Sequence, residues 1–236
     1  DVYSGVYQSQ VIEVCEYLTQ LSGKPTRLIA FVPYSVRKEQ KTIISSKYSC
    51  SWVFPMFPAH LHWYIYLVPM LAMFLLFIPS KLIVCRGTIA GAIGLRLRKI
   101  GIVKKSVFDG RGAQSEEWKE YSVGGEQKIK GKIYSLEKKS VLNSDYRIGV
   151  SKMLVQYWRD EFGYNQKSQV VIPCTLSNSF LKEENCNSVE IRSKYGFSEE
   201  DIILVYSGSA AGWQSFQLLN KWFEEILLNN SNVKIL

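Results

Sequence analysis

The 236-residue sequence is poor in the residue types that build metal and redox centres. It holds two histidines, His60 and His62, in one HxH pair inside an apolar stretch, which reads as incidental rather than as a metal site. Cys15, Cys50, Cys85, Cys174 and Cys186 are odd in number and form no CxxC pair. That excludes a locally encoded zinc cluster or disulfide framework and favours a reducing compartment. Cys15 and Cys85 lie in apolar periodic runs and are expected in the core. No GK[ST] run occurs, so there is no P-loop, and no DxD-like acidic pair occurs either. No charged segment followed by an apolar one opens the sequence, so no signal peptide is visible. Asp1 stands where a methionine would, as in a processed, trimmed or partial chain.

What is present is an apolar, basic chain. Hydrophobic residues make up 47%, which excludes a disordered tail. The length allows one to two domains. A net charge of +8 implies an anionic partner: nucleic acid, a phosphate-bearing ligand or anionic lipid. The aromatic residues do not alternate with basic ones, and no nucleic-acid motif is visible.

Apolar spacing predicts a helix over 5–22 and a strand over 27–33. No strand precedes that first helix. Residues 60–80, HLHWYIYLVPMLAMFLLFIPS, are almost wholly apolar and about long enough to span a bilayer, which needs ~20 residues. Pro69 lies inside the segment, Pro79 ends it, and a strand-like run follows at once. A buried or membrane-dipping helix accounts for these features better than a span. Lys81, Arg86, Arg96, Arg98, Lys99, Lys104 and Lys105 follow, and an apolar helix beside a basic stretch suits an anionic membrane face as well as an ordinary solvated surface. Then strands (81–87, 104–109, 144–151, 169–176) alternate with helices (88–101, 127–142, 152–163). Such alternation predicts a mostly parallel sheet covered on both faces. A polar break with a short helix covers 177–200. A strand from 201, a helix over 215–230 and the strand NVKIL open a second α/β unit.

In this order the segments resemble a family-four retaining glycosyltransferase of the GT-B fold. SGVYQSQVIEVCEYL is similar to the loop and first helix of its acceptor domain, and KLIVCRGTIAGAIG to the strand ending in arginine before a small-residue helix. VFDGRGAQSEEW resembles the family's aspartate–arginine–glycine stretch followed by glutamate. DYRIGVSKMLVQYWRDEFG, VVIPCTLSNSF and ILVYSGSAAGWQ resemble the last strand–helix unit, the crossover, and the first strand and loop of the donor domain. The resemblance implies a Rossmann-like acceptor-side domain over 1–176, a linker over 177–200, and the start of a truncated nucleotide-sugar-binding domain over 201–236. It implies hexosyltransferase-type transfer from a nucleotide-diphosphate sugar to a glycan or lipid-linked hydroxyl with retention, in cell-surface polysaccharide or glycolipid synthesis. The nucleotide sugar is a co-substrate; no other cofactor and no metal is implied. The setting implied is cytoplasmic, peripheral on the inner face of the plasma membrane, with no nucleic-acid partner. Two departures stand out. The family's paired glutamates, which hold the donor's sugar and ribose, lie later in the second domain than residue 236, and the loop GSAAGWQ carries no basic residue. A non-catalytic membrane-associated module, an inactive truncated remnant and a single-span membrane protein remain alternatives.

The candidate residues follow from placement. In a doubly wound sheet, ligands bind beyond the carboxyl ends of the strands. Asp109 ends a strand there, and Gly110 and Gly112 offer backbone freedom and close approach to a ligand. Arg111 presents a fork for phosphate or carboxylate, or pairs with Asp109, Glu116 or Glu117 to pin the loop. Arg86 reaches the same rim, where it meets a phosphate or a loop carboxylate. Ser4 and Gly5 precede the first helix, as an anion or sugar-hydroxyl site or as a plain N-cap. Ser151 is a cleft residue or the N-cap of the helix after it. Ser207, Gly208 and Ser209 form a short phosphate-cradle-like loop or a tight turn. Trp213 offers a stacking surface or a core side chain. No catalytic residue is assigned.

Overall fold

A computed structural model describes residues 7–56, 63–78, 82–120, 127–174, 188–207 and 215–236. The chain divides into two compact units, Asp1–Ser177 and Asn178–Leu236.

The first unit opens with a π-helical turn, Gln8–Ile12, that runs into α1 (Glu13–Ser22). β1 (Leu28–Pro33), a 3-10 turn (Tyr34–Val36), α2 (Arg37–Lys47) and β2 (Ser51–Met56) follow. β1 and β2 pair in parallel as a two-stranded sheet. Leu28, Ala30, Val32 and Val53 pack against Ile44 of α2 on one side. Ile29, Phe31 and Phe54 pack against α3 (Trp63–Phe77) on the other. Neither α2 nor β2 is expected from the sequence. RKEQKTIISSK is too polar for a visible stripe, and Pro55 interrupts SWVFPM.

α3 buries Leu67, Val68, Leu71 and Leu75 and leaves Met73, Leu76 and Phe77 exposed. It continues through Pro69. The apolar run is therefore a core helix, and its amphipathicity is hidden because its outer face is apolar too. No helix among the described residues is long and apolar enough to cross a membrane.

Four parallel strands form the second sheet in the order β3-β4-β5-β6: β3 (Leu82–Arg86), β4 (Lys105–Gly110), β5 (Tyr146–Gly149) and β6 (Gln169–Val171). They are joined by α4 (Thr88–Lys99), by α5 (Gln114–Glu120) with α6 (Gln127–Asn143), and by α7 (Lys152–Phe162). α5 lies where the sequence reads as a polar loop, and β6 stops well short of residue 176. The cover expected on both faces is only partial on one of them, where Val107 and Asp109 are buried and Arg86 meets the first helical segment. Cys85, Phe108 and Gly149 share one face and meet Gly94 of α4 and Val155 and Trp158 of α7. Leu82, Val84, Tyr146 and Val170, on the other face, are about half exposed. Right-handed crossovers that step in one direction put α4, α6 and α7 on the same face.

Glycines set how closely α4 lies. A β-carbon at Gly91 would come within 2.6 Å of Ser140 Oγ, and one at Gly94 would strike Cys85 Sγ. Cys85 is in the core as expected, and burial pushes its thiol up to about 12. Cys15 is only half-buried, because the apolar stripe of α1 (Val14, Leu18, Leu21) is itself exposed. Arg147 is fully buried, donating to the carbonyls of Val141 and Leu142 at 2.5 and 2.9 Å and to Ser168 Oγ at 2.7 Å. It thereby satisfies the last-turn carbonyls of α6, where the helix dipole favours a cation.

In the second unit, α8 (Ser188–Lys194) precedes β7 (Ile202–Leu204), α9 (Phe216–Asn229) and β8 (Val233–Ile235). β7 and β8 are parallel.

The packing of α3 gives a direct contrast. Leu71→Ala is expected to cost about 2–5 kcal/mol and Leu76→Ala less than about 0.5 kcal/mol in urea unfolding, because only the first empties a core site.

Candidate functional site

The carboxyl ends of β3 and β4 lie side by side, with Arg86 and Asp109 in register. Both side chains project from the half-open face. Asp109 is 5% exposed, so its charge needs partners. Arg111 supplies the nearer one: its Nε lies 3.0 Å from Oδ1 and 3.2 Å from Oδ2. Arg86 Nη1 is 3.9 Å from Oδ2. Burial and then the Arg111 charge lower the Arg86 pKa, against the pull of Asp109.

The two arginines are engaged differently. Arg86 donates from Nη1 to the Gln10 carbonyl and from Nη2 to Gln10 Oε1, both at 2.6 Å. It is a strap between the rim of the sheet and the π-helical turn. Arg111 uses only Nε, and its terminal nitrogens have no partner among the described residues. The fork expected at the rim is therefore Arg111, with Arg86 holding the wall beside it.

The flanking glycines have a steric rather than a conformational role. Neither Gly110 nor Gly112 has a positive φ. A β-carbon at Gly110 would come within 2.5 Å of the Trp158 ring, and one at Gly112 would strike Glu117 Oε1. Glu117 thus folds back over the loop, but it joins no ion pair among the described residues; Glu116 pairs instead with Lys119 at 2.5 Å. Ser151, past the carboxyl end of β5, caps α7 by accepting from Leu154 N at 3.1 Å. Ser207 is exposed beyond β7 in the second unit. Ser4, Gly5, His60, His62, Gly208, Ser209 and Trp213 lie outside the described residues.

Three polar groups support the rim and escape the sequence reading. Gln10 meets Arg86 from 76 positions away, with no local signal. Gln114 Oε1 accepts from Thr88 N at 3.1 Å, tying the start of α5 to the start of α4. Glu137 is 0% exposed and accepts from Ser115 N at 2.7 Å, so a carboxylate from α6 holds the first turn of α5. Ser115 Oγ lies 3.1 Å from Tyr157 OH, whose pKa burial pushes up to about 12. Glu137 was detectable in principle, since it stands four residues from both Ile133 and Val141 on a buried stripe.

No family model matches the chain, and no curated protein matches it. Solved structures do. The chain is similar to a sucrose-phosphate synthase from Thermosynechococcus elongatus at 14% identity, covering 77% of this chain and 52% of that one with a TM-score of 0.50. It is also similar to a glycosyltransferase from Rickettsia africae ESF-5 at 13% identity, covering 100% of this chain and 65% of that one with a TM-score of 0.59. The chain thus spans between about half and about two thirds of the length of these two structures. At this identity the likeness shows the fold: a Rossmann-like α/β protein with mostly parallel sheets.

Burial raises the Glu137 pKa above the ordinary carboxylate value, against the opposing pull of Ser115 and Gln114. The folded chain therefore holds this proton more tightly than the unfolded chain. The stability it contributes is lost as pH rises through the raised value and regained as pH falls toward the ordinary one. Glu137→Gln removes the titration. From about pH 7.5 to about pH 4.5, urea unfolding is expected to show the stability difference moving toward the wild type. A difference that stays constant with pH would contradict a buried, titrating carboxylate.

Proposed function

We propose that this chain is the acceptor-side domain and the beginning of the donor-binding domain of a GT-B glycosyltransferase similar to family four. Its reaction is hexosyl transfer, with retention, from a nucleotide-diphosphate sugar to a hydroxyl of a glycan or lipid-linked acceptor, in cell-surface polysaccharide or glycolipid synthesis. The observation that supports this best is the likeness of fold, over the whole chain, to a glycosyltransferase. The rim is consistent with it. Charge develops on the leaving diphosphate in such a transfer, and preorganised cations and amides stabilise it without reorganising. Arg111, oriented by Asp109 and with two terminal nitrogens that have no partner among the described residues, is suited to an anionic part of donor or acceptor.

The experiment is a calorimetric titration of the chain with UDP-, GDP-, ADP- and dTDP-sugars, followed by transfer to hydroxyl acceptors with the product anomer read by NMR. One donor class is expected to bind and the donor anomer to be kept. An inverted product would overturn retention, and no binding by any donor would overturn the reading for this chain. Arg111→Ala is expected to weaken an anionic ligand by about 10–100-fold, the loss of a charged hydrogen bond of about 1.5–3 kcal/mol, while Arg111→Lys restores part of it.

A further inference from the structure

β6 is the last strand of the four-stranded sheet, and among the described residues only β5 pairs with it. Arg147 N donates to the Ser168 carbonyl and Ile172 N to the Gly149 carbonyl, both at 2.9 Å. Backbone groups alternate in direction along a strand, so Ser168, Val170 and Ile172 turn theirs toward β5. Gln169 and Val171 turn theirs the other way, to the open edge. An open edge is a template for another strand, and native edges are blunted by charge, proline or a cover. This one reads Gln-Val-Val-Ile, and Val170, Val171 and Ile172 are all exposed. Three apolar residues of high strand propensity leave it unblunted up to Pro173.

A groove of about 450 Å³ runs beside this edge. It is lined by Lys152, Met153, Val155 and Arg159 of α7 and by Gln169 and Val171 of β6. The last two are the residues whose backbone faces outward. Met153, Val155 and Val171 give the groove an apolar part, and its charges are of one sign. Lys152 and Arg159 are exposed and join no ion pair among the described residues. Asp160, on the same helix, accepts from Gln156 at 2.8 Å and does not line the groove. A strand laid along β6 would hydrogen-bond to Gln169 and Val171 and send every second side chain toward α7. Apolar side chains there meet Met153 and Val171, and carboxylates meet Lys152 and Arg159. A free phosphate would use the two cations and leave the backbone edge and the apolar part unused.

We propose that β6 and α7 form a docking groove for an extended, acidic segment of a protein partner, bound as one more strand of the sheet. The groove lies within the first unit, and the proposal stands independently of the sugar-transfer reading.

The probe is a fluorescent peptide, TEVLVET, whose glutamates and leucine share one face of a strand. Anisotropy is expected to show saturable binding to the chain, weakened by salt. The same peptide N-methylated through its central VLV cannot pair with an edge, and it is expected not to bind. On binding, hydrogen exchange read by NMR is expected to slow at the Val171 amide. Lys152→Gln with Arg159→Gln is expected to weaken binding about two- to thirtyfold, the range for two exposed ion pairs. Val171→Pro removes an N–H that β5 does not use and is expected to weaken it about three- to tenfold, one strand hydrogen bond. These sites are exposed and no bond to β5 is lost, so far-UV circular dichroism should stay unchanged. Lys38→Gln with Lys41→Gln, on the exposed side of α2, should leave binding intact. No saturable binding of TEVLVET would overturn the proposal. So would equal binding of the N-methylated peptide, or a loss in the α2 variant equal to that in the groove variant. A concentration-dependent dimer that Val171→Pro abolishes, with no peptide bound, would overturn it in favour of a second copy of this chain. Loss of donor binding in the titration above would leave this result untouched.

Discussion

A buried carboxylate at the end of β4 organises the carboxyl rim of this protein. Asp109 has almost no access to water, and it is paired with Arg111 at 3.0 Å and, more distantly, with Arg86 at 3.9 Å. Each arginine then carries a different duty. Arg86 reaches away to Gln10 and fastens the first helical segment to the sheet. Arg111 pairs through Nε and leaves its terminal nitrogens without a partner among the described residues. Removing the carboxylate would leave two half-buried cations facing each other, which is the costlier half of breaking such a pair.

The loop behind this carboxylate is fixed from its far side by other buried polar groups. Glu137 holds the start of α5 and Gln114 joins α5 to α4, so the Gly110–Gly112 loop is bounded by β4 in front and an anchored helix behind. The Trp158 ring leaves no room for a β-carbon at Gly110, and the end of the Glu117 side chain lies against Gly112. The result is a short loop whose conformation is set by packing rather than by left-handed backbone. Preorganisation of this kind lets a cation act on a ligand without first paying to order itself.

Much of the four-stranded sheet was legible from sequence because parallel strands are continuous apolar runs separated by helical periods. KLIVCRG, KKSVFD and DYRIG all show this, and Asp109 next to Arg111 is a local pattern. What was not legible depends on distance or on cancellation of the signal. α2 is too polar to show a stripe, although Ile44 within it is fully buried. β2 contains Pro55, which argues against a strand until β1 is seen beside it. α3 hides a core face because its solvent face is also apolar. Gln10 and Arg86 meet only through the tertiary fold. Glu137 stands in a lysine-rich helix, and its spacing from Ile133 and Val141 puts it on the buried stripe. Gly110 has no positive φ and is required by the closeness of the Trp158 ring, a long-range contact with no local signal.

The ion-paired rim thus lies at the carboxyl ends of β3 and β4, where Arg86 and Asp109 stand in register. The account stands or falls on the coupling at the rim. A double-mutant cycle in urea unfolding with Asp109→Asn, Arg111→Met and the pair measures it most directly. The account predicts a coupling energy of about 0.5–3 kcal/mol, with each single change costing more than its share of the pair. Additivity within about 0.3–0.5 kcal/mol would mean that Asp109 and Arg111 act independently, and would contradict a rim organised by that carboxylate.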